Sequence, residues 1–355
     1  MSSGIAMPAA GPVAPRRASP RRAASRRRLL GLLAAIIVLL AVIVLSLALG
    51  TRGTPLANVI GALFSPQTSN PDLVVIRDLR VPRTLIGIVV GLALALAGTI
   101  MQGITRNPLA DPGLLGVNAG ASLFVVLAIA VLGISNPAGF IWFAFAGAAL
   151  AATVVYGIGS IGREGATPIK LALCGTAVTA AVTSIITLLL ISDTETLNTF
   201  RFWQVGSLAS RSLQPLTSLW PFLASGVVLA LVVGRMLNLL SLGDDLARGL
   251  GQHLAAARVV TAVAVVLLCG SATALAGPIV FVGLVVPHVA RFIVGPDYRW
   301  ILAYSAVLGP VLLLAADIVG RLVVAPGELE AGLVVALVGA PVMIALVRRV
   351  KLAGL

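Results

Sequence analysis

The chain has 355 residues, 59% of them hydrophobic and 10% charged, with a mean hydropathy of +1.08 and a formal net charge of +13. A soluble domain of this composition would expose far too much apolar surface, and its recurrent apolar runs of about 20 residues suit membrane-crossing helices, not the alternating strands of a barrel. The charge does not point to nucleic acid, because the basic residues gather at the N-terminus (Arg16, Arg17, Arg21, Arg22, Arg26, Arg27, Arg28), the C-terminus (Arg348, Arg349, Lys351) and short loops, as the positive-inside rule expects of cytoplasmic segments.

Residues 1–28 read as a disordered, Arg-rich cytoplasmic tail and residues 29–355 as one membrane domain. The first helix, Leu29–Gly50, leads outward to a polar stretch, Thr51–Leu79, with room for a short amphipathic helix. The second, Val81–Gly103, returns to a cytoplasmic loop at Arg106–Gly113. The third and fourth, Leu114–Leu132 and Ala138–Ile161, go out and back to Arg163-Glu164. The fifth, Pro168–Ile191, ends in a polar segment, Ser192–Pro215, and the sixth, Leu216–Met236, re-enters. The longest inside loop, Leu237–Arg258, follows.

The seventh helix, Val259–Ala276, reaches a tight Gly277-Pro278 turn, and the eighth, Ile279–Val294, comes back. The ninth, Trp300–Val319, ends near Arg321, and the tenth, Ala331–Val347, returns the C-terminus inside. The expected fold class is an all-α polytopic membrane protein of about ten transmembrane helices with both termini cytoplasmic. Only Arg52, Arg77, Arg80, Arg83, Arg201, Arg211 and Arg321 then lie outside. Gly87-xxx-Gly91 and Gly116-xxx-Gly120 read as close packing within this bundle.

Catalytic patterns are absent from the sequence. It has no Walker A motif, no H-E-x-x-H and no G-x-S-x-G. His253 and His288 lack partners at ligand spacing, and Cys174 and Cys269 lie in separate apolar runs as small buried residues. The inside loop is more informative. Leu239-Leu240-Ser241-Leu242-Gly243-Asp244-Asp245-Leu246-Ala247-Arg248-Gly249-Leu250-Gly251 reads as two short helices broken at glycine, with acids at a helix start and an arginine in a later turn. Such detail suits a docking surface for a cytoplasmic partner, with an interfacial helix lying on the membrane as the alternative.

Four ordered blocks carry a resemblance. They are Leu79-Arg80-Val81-Pro82-Arg83 leading into Ala97-Gly98-x-x-Met101-Gln102-Gly103; Arg106-Asn107-Pro108-Leu109-Ala110-Asp111-Pro112-Gly113-Leu114-Leu115-Gly116; the Leu242–Gly251 segment; and Gly277-Pro278-Ile279-x-Phe281-Val282-Gly283-Leu284-x-x-Pro287-His288-x-x-Arg291. Ala316-Asp317-Ile318-Val319-x-Arg321 and Gly339-Ala340-Pro341 add to them. The chain resembles the permease family of type II ABC importers for ferric siderophores, haem and vitamin B12. Its wording is most similar to permeases of catecholate-type siderophores.

The resemblance implies the type II importer permease fold, paired with a second permease subunit, two cytoplasmic ATPase subunits and an extracytoplasmic substrate-binding protein in a bacterial cytoplasmic membrane. It implies that residues 29–355 form the permease domain, with coupling helices at about 237–258. Leu242, Gly243, Asp244, Asp245, Ala247, Arg248, Leu250 and Gly251 would couple to the ATPase, and Arg80, Arg83 and Arg321 would pair with acids on the binding protein. Arg106, Asn107, Pro108, Asp111, Pro112 and Gly113 would shape a structural loop.

No cofactor is expected on this chain: ATP and magnesium belong to the ATPase, and iron travels only inside the chelate. The expected mechanism is alternating access along a weakly binding path that carries no intramembrane charge. Glu330, where the family commonly has an uncharged residue, is expected to be solvated. Haem or cobalamin import, and an ion-coupled secondary transporter, are the alternatives.

Overall fold

A computed structural model describes residues 20–50, 70–162, 167–209 and 212–353, with Pro55, Val59 and Gly61. Most of the tail expected over residues 1–28, most of the Thr51–Leu79 stretch, Arg163-Glu164 and Arg211 lie outside the described residues.

The secondary structure of the described residues is helical. α1 spans Pro20–Ala48, so the first helix starts well before Leu29. A short α2, Pro71–Val75, continues through a π turn at Ile76–Arg80 into α3, Val81–Thr105. α4 (Val117–Leu132), α5 (Pro137–Gly159) and α6 (Pro168–Ser192) follow. Next come α7 (Thr194–Gln204), α8 (Gln214–Leu240), the short α9 (Asp244–Gly249) and α10 (Leu254–Ala276). α11 (Val282–Val294), α12 (Tyr298–Val323) and α13 (Ala331–Ala353) complete the bundle.

Seven of these helices are long and apolar enough to cross a membrane, and three more are shorter apolar helices over residues 117–132, 282–294 and 331–345. Together they match the ten expected crossings, and the chain is a multi-pass membrane protein.

Local chemistry explains several boundaries. Asn136 and Thr167 accept hydrogen bonds from Gly139 and Lys170 N–H groups, and each precedes a proline that starts its helix. Asp193 accepts from the N–H groups of Glu195 and Thr196 and starts α7, inside a segment read from the sequence as merely polar. α3 stops at Arg106, whose φ is 51°.

α3 is the hub, packed against α8, α10, α11 and α12. Small residues permit this. A Cβ on Gly91 would lie 2.7 Å from the Gly309 carbonyl oxygen, and one on Gly98 would overlap the Gly283 carbonyl. Gly120 meets Gly147 of α5 in the same way. The glycines at 87, 91 and 120 therefore serve contacts inside the chain. α1 and α6 leave apolar side chains such as Ile37 (66%) and Ile191 (80%) exposed for lipid or another subunit.

Polar contacts define two faces. The ends of α3 and α8 and the starts of α10 and α12 meet around Arg106, Asp244 and Asn238, and the start of α1 is tied to α12 through Tyr304 and Arg28. The end of α1, the start of α3 and the end of α12 meet around Asp317.

Candidate functional site

At the Asp244 face, Gly243 (φ 109°) turns the end of α8 into α9 through a conformation that suits glycine. The adjacent acids then part company. Arg106 Nη2 donates to one oxygen of Asp244, and Arg258 Nη2 donates to the other at 2.7 Å. Arg106 Nε also donates to the Leu240 carbonyl at 2.7 Å. One carboxylate thus braces α9 against the ends of α3 and α8 and the start of α10. Partial burial pushes the Asp244 carboxyl up, but the Arg106 hydrogen bond and the charges of Arg258, Arg106 and Arg248 outweigh it and hold it below the usual range.

Asp245, by contrast, is fully exposed and pairs with an exposed Arg248 at 3.3 Å, a contact of little energetic weight. Ala247 is buried beneath the helix, while Leu242, Leu246 and Leu250 are 55%, 54% and 56% exposed. Leu246 and Leu250, four apart, share one side of this turn, and Leu242 is exposed just before the Gly243 bend, so the segment presents three leucines among charges. Gly251 N–H closes the segment on the Arg248 carbonyl at 2.9 Å. The sequence reads two short helices here. The structure has one of six residues, because α8 runs on to Leu240 and α10 begins at Leu254.

The loop after Arg106 begins at the surface, where Arg106 and Asn107 are exposed. It folds back into the bundle. Asn107 Oδ1 accepts from Leu109 N–H at 2.9 Å, and Asp111 Oδ1 accepts from Gly113 N–H at 2.8 Å. Pro108 is half-buried between them, and a 3₁₀ turn runs over Pro112–Leu115. Pro112 lies so close to Gly283 that a Cβ there would be 3.0 Å from Pro112 Cδ. Gly283 in turn meets Gly98, about 10 Å up α3 from its end by helix rise.

Further in, Thr273 of α10 donates to Asn118 at the start of α4 at 3.0 Å. α4 thus starts inside the bundle. On the other side, residues 277–281 run without helical structure before α11, and Gln102 donates to the Leu284 carbonyl at 3.1 Å. Non-helical backbone at membrane depth is tolerated when protein encloses it and satisfies its polar groups, as here.

At the Asp317 face, the three arginines expected to make exposed ion pairs are enclosed: Arg80, Arg83 and Arg321 are 6%, 9% and 3% exposed. Arg83 Nε and Nη2 donate to Asp317 Oδ1 at 3.0 and 2.7 Å, and Arg321 Nη2 is 3.1 Å from Oδ2. Asp317 itself is fully buried. Arg83 Nη1 reaches Glu328 at 2.7 Å, and this carboxylate is one-third exposed.

Arg80 donates to the carbonyls of Leu47 and Ala48, and Arg321 to those of Ser46 and Leu49, all at the end of α1. Two carboxylates and the negative end of a helix therefore balance three arginines. The carboxylates of this cluster are thus paired within the chain. Glu330 is half-buried, not solvated, and its Oε2 has no hydrogen-bond partner. Asp317, Glu328 and Arg258 are the functional residues that sequence reasoning passed over. For Asp317 the signal was available: a lone carboxylate in an apolar run needs a partner.

A helix bundle with enclosed non-helical segments, a buried charge cluster at one face and a braced short helix flanked by exposed leucines at the other suits a membrane transport permease. Residues 38–349 match the FecCD transport family, and the chain belongs to it. It is 44% identical over 318 residues to the probable siderophore transport system permease protein YfiZ of Bacillus subtilis, covering 90% of this chain and 95% of that protein. It is 46% identical over 320 residues to the ferric enterobactin transport system permease protein FepD of Escherichia coli, covering 90% and 94%.

A solved inward-facing structure of a putative metal-chelate type ABC transporter superposes with a TM-score of 0.77 at 29% identity, covering 90% of this chain and 98% of that one. The chain is a permease subunit of an ABC importer, a class in which ATP hydrolysis belongs to a separate subunit.

Proposed function

We propose that this permease imports a ferric siderophore across a bacterial cytoplasmic membrane by alternating access. In this reading a second permease subunit pairs with the chain, and two ATPases dock on the Asp244 face. An extracytoplasmic binding protein delivers cargo at the Asp317 face. Both termini are cytoplasmic. ATP and magnesium reside on the ATPases, and iron enters only within the chelate.

The observation that carries the coupling role is α9 with its flanks: Leu242, Leu246 and Leu250 are exposed while Asp244 ties the segment to Arg106 at the end of α3 and to Arg258 on α10. Motion of a partner seated on those leucines would pass through Asp244 to Arg106 at the end of α3 and to Arg258 on α10. Gly243, Gly251 and buried Ala247 set the shape of the segment, and the loop from Arg106 through Asn107, Pro108, Asp111, Pro112 and Gly113 holds the interior end of the path. Arg80, Arg83 and Arg321 act at the docking face, where an acidic side chain of the partner would compete with the part-exposed Glu328 for Arg83. The relatives' names support the cargo class, since they refer to a siderophore system and to ferric enterobactin.

The test is uptake into proteoliposomes holding the permease pair, the ATPases and the binding protein. Labelled ferric siderophore should enter only with ATP, and haem and cobalamin should not. Uptake driven by an ion gradient without the ATPases would overturn the reading.

A further inference from the structure

A cleft of about 1010 Å³ opens between the first turns of α1, the end of α11 and the early turns of α12. None of the readings above uses it. Gly31 leaves room for Tyr304, whose hydroxyl donates to the Arg28 carbonyl at 2.7 Å. That bond fixes the start of α1 against α12 and sets Arg27 and Arg28 on the cleft wall. Neither guanidinium pairs with a carboxylate among the described residues. Below them the wall turns apolar at Phe292 and Ile293, which are 87% and 51% exposed.

We propose that this cleft binds an anionic phospholipid, with its phosphate on Arg27 and Arg28 and its acyl chains along Phe292 and Ile293. Two observations choose a lipid over a soluble anion. First, cation and apolar surface are stacked along α1 in the order of headgroup and hydrocarbon, since Leu30 and Leu33, one turn further on, are 56% and 47% exposed. Second, a small hydrated ion would gain nothing from the apolar wall, whereas two acyl chains cover it. The end of α11 opposes an anion with about half a negative charge, which two full positive charges outweigh. Arginine suits a phosphate better than lysine does, because its planar fork donates two parallel hydrogen bonds. The proposal rests on the functional reading only for the leaflet: cytoplasmic termini put the site in the inner one.

The test is native mass spectrometry of the assembled transporter, titrated with phosphatidylglycerol, phosphatidylethanolamine or inorganic phosphate. Phosphatidylglycerol should bind with clear preference over phosphatidylethanolamine. The Arg27→Gln/Arg28→Gln variant should weaken it on the order of tenfold, and millimolar phosphate should not displace it. Should the double variant fail to assemble, Arg27→Gln alone carries the test, because that side chain is exposed. Equal binding of both lipids, no loss in the variants, or displacement by phosphate would each overturn the proposal. Lipid binding needs no transport, so retention of the lipid by a complex that imports no siderophore would sink the functional reading and leave this one standing.

Discussion

The guanidinium of Arg83 lies against the carboxylate of Asp317, with Nη2 2.7 Å and Nε 3.0 Å from the same oxygen, across 234 positions of sequence. Arg321 holds the other oxygen from one turn along α12. Removing the shared carboxylate leaves Arg321 enclosed without a carboxylate partner and Arg83 with only the part-exposed Glu328. Asp317→Asn should therefore cost on the order of 3–5 kcal/mol, softened where α1 carbonyls still accept from Arg321. A thermal melt of the purified permease checks this, and an unchanged midpoint would show that the cluster is solvated.

Glu328 sits at the mouth of the same cluster, one-third exposed, and occupies Arg83 Nη1. If an acidic side chain of the binding protein docks here, it competes with Glu328 for that donor. Glu328→Gln should then tighten binding-protein association several-fold at low salt, with the gain fading as ionic strength screens the contact. Surface plasmon resonance across a salt series reads this directly. Weaker binding would mean that Glu328 itself contributes to docking by positioning Arg83.

Helix number, order and several helix starts were legible because their causes are local: apolar runs of spanning length, and Asn136-Pro137 and Thr167-Pro168 as cap-plus-proline starts. The segment around Asp244 was legible for its charge and glycine spacing. Three things were not. Hydropathy carries no depth, so nothing in the loop after Arg106 announced that Pro112 packs on Gly283. α7 was hidden by its polar composition, despite the Asp193 cap. The burial of Arg80, Arg83 and Arg321 depends on partners on α1 and α12, which no local pattern announces.

The Gly98–Gly283 contact permits no side chain, since a Cβ on Gly98 would run into the Gly283 carbonyl. Gly98→Ala should cost about 1–3 kcal/mol or more through displaced backbone, and lower the yield of folded protein. Gly243→Ala tests a different cause. Nothing lies within 4 Å of its added Cβ, so any loss comes from the φ of 109° alone and should be about 1–3 kcal/mol, confined to α9. Hydrogen exchange on each variant separates the global effect from the local one.

Asp244 titrates below the ordinary carboxylate range because Arg106 and Arg258 favour its charged form. The sign follows from linkage. A depressed folded-state pKa contributes stability that is complete above the unfolded value, about 3.9, and is lost as pH falls through the lower folded value. Neutral pH therefore leaves the brace intact, and Asp244→Asn imitates the acid state. That variant should loosen α9, seen as faster hydrogen exchange over residues 244–250, and should lower siderophore uptake more than it lowers ATPase binding. Equal losses of both would place Asp244 in the docking contact instead of in its transmission.

Leu246 separates docking from folding most cleanly. It is 54% exposed on α9, while its neighbour Ala247 is fully buried, so a charge at 246 meets water in the isolated subunit and costs little there. Buried against an ATPase, the same charge would be stranded without a partner in an apolar contact. Leu246→Asp should leave the melting temperature of the permease within about a degree of the parent and weaken ATPase association tenfold or more, whereas Ala247→Asp should destabilise the subunit itself. Co-purification with the ATPase, read beside the melting curve, checks both. Full ATPase binding by Leu246→Asp would remove the exposed leucines from the interface and with them the transmission route through Asp244.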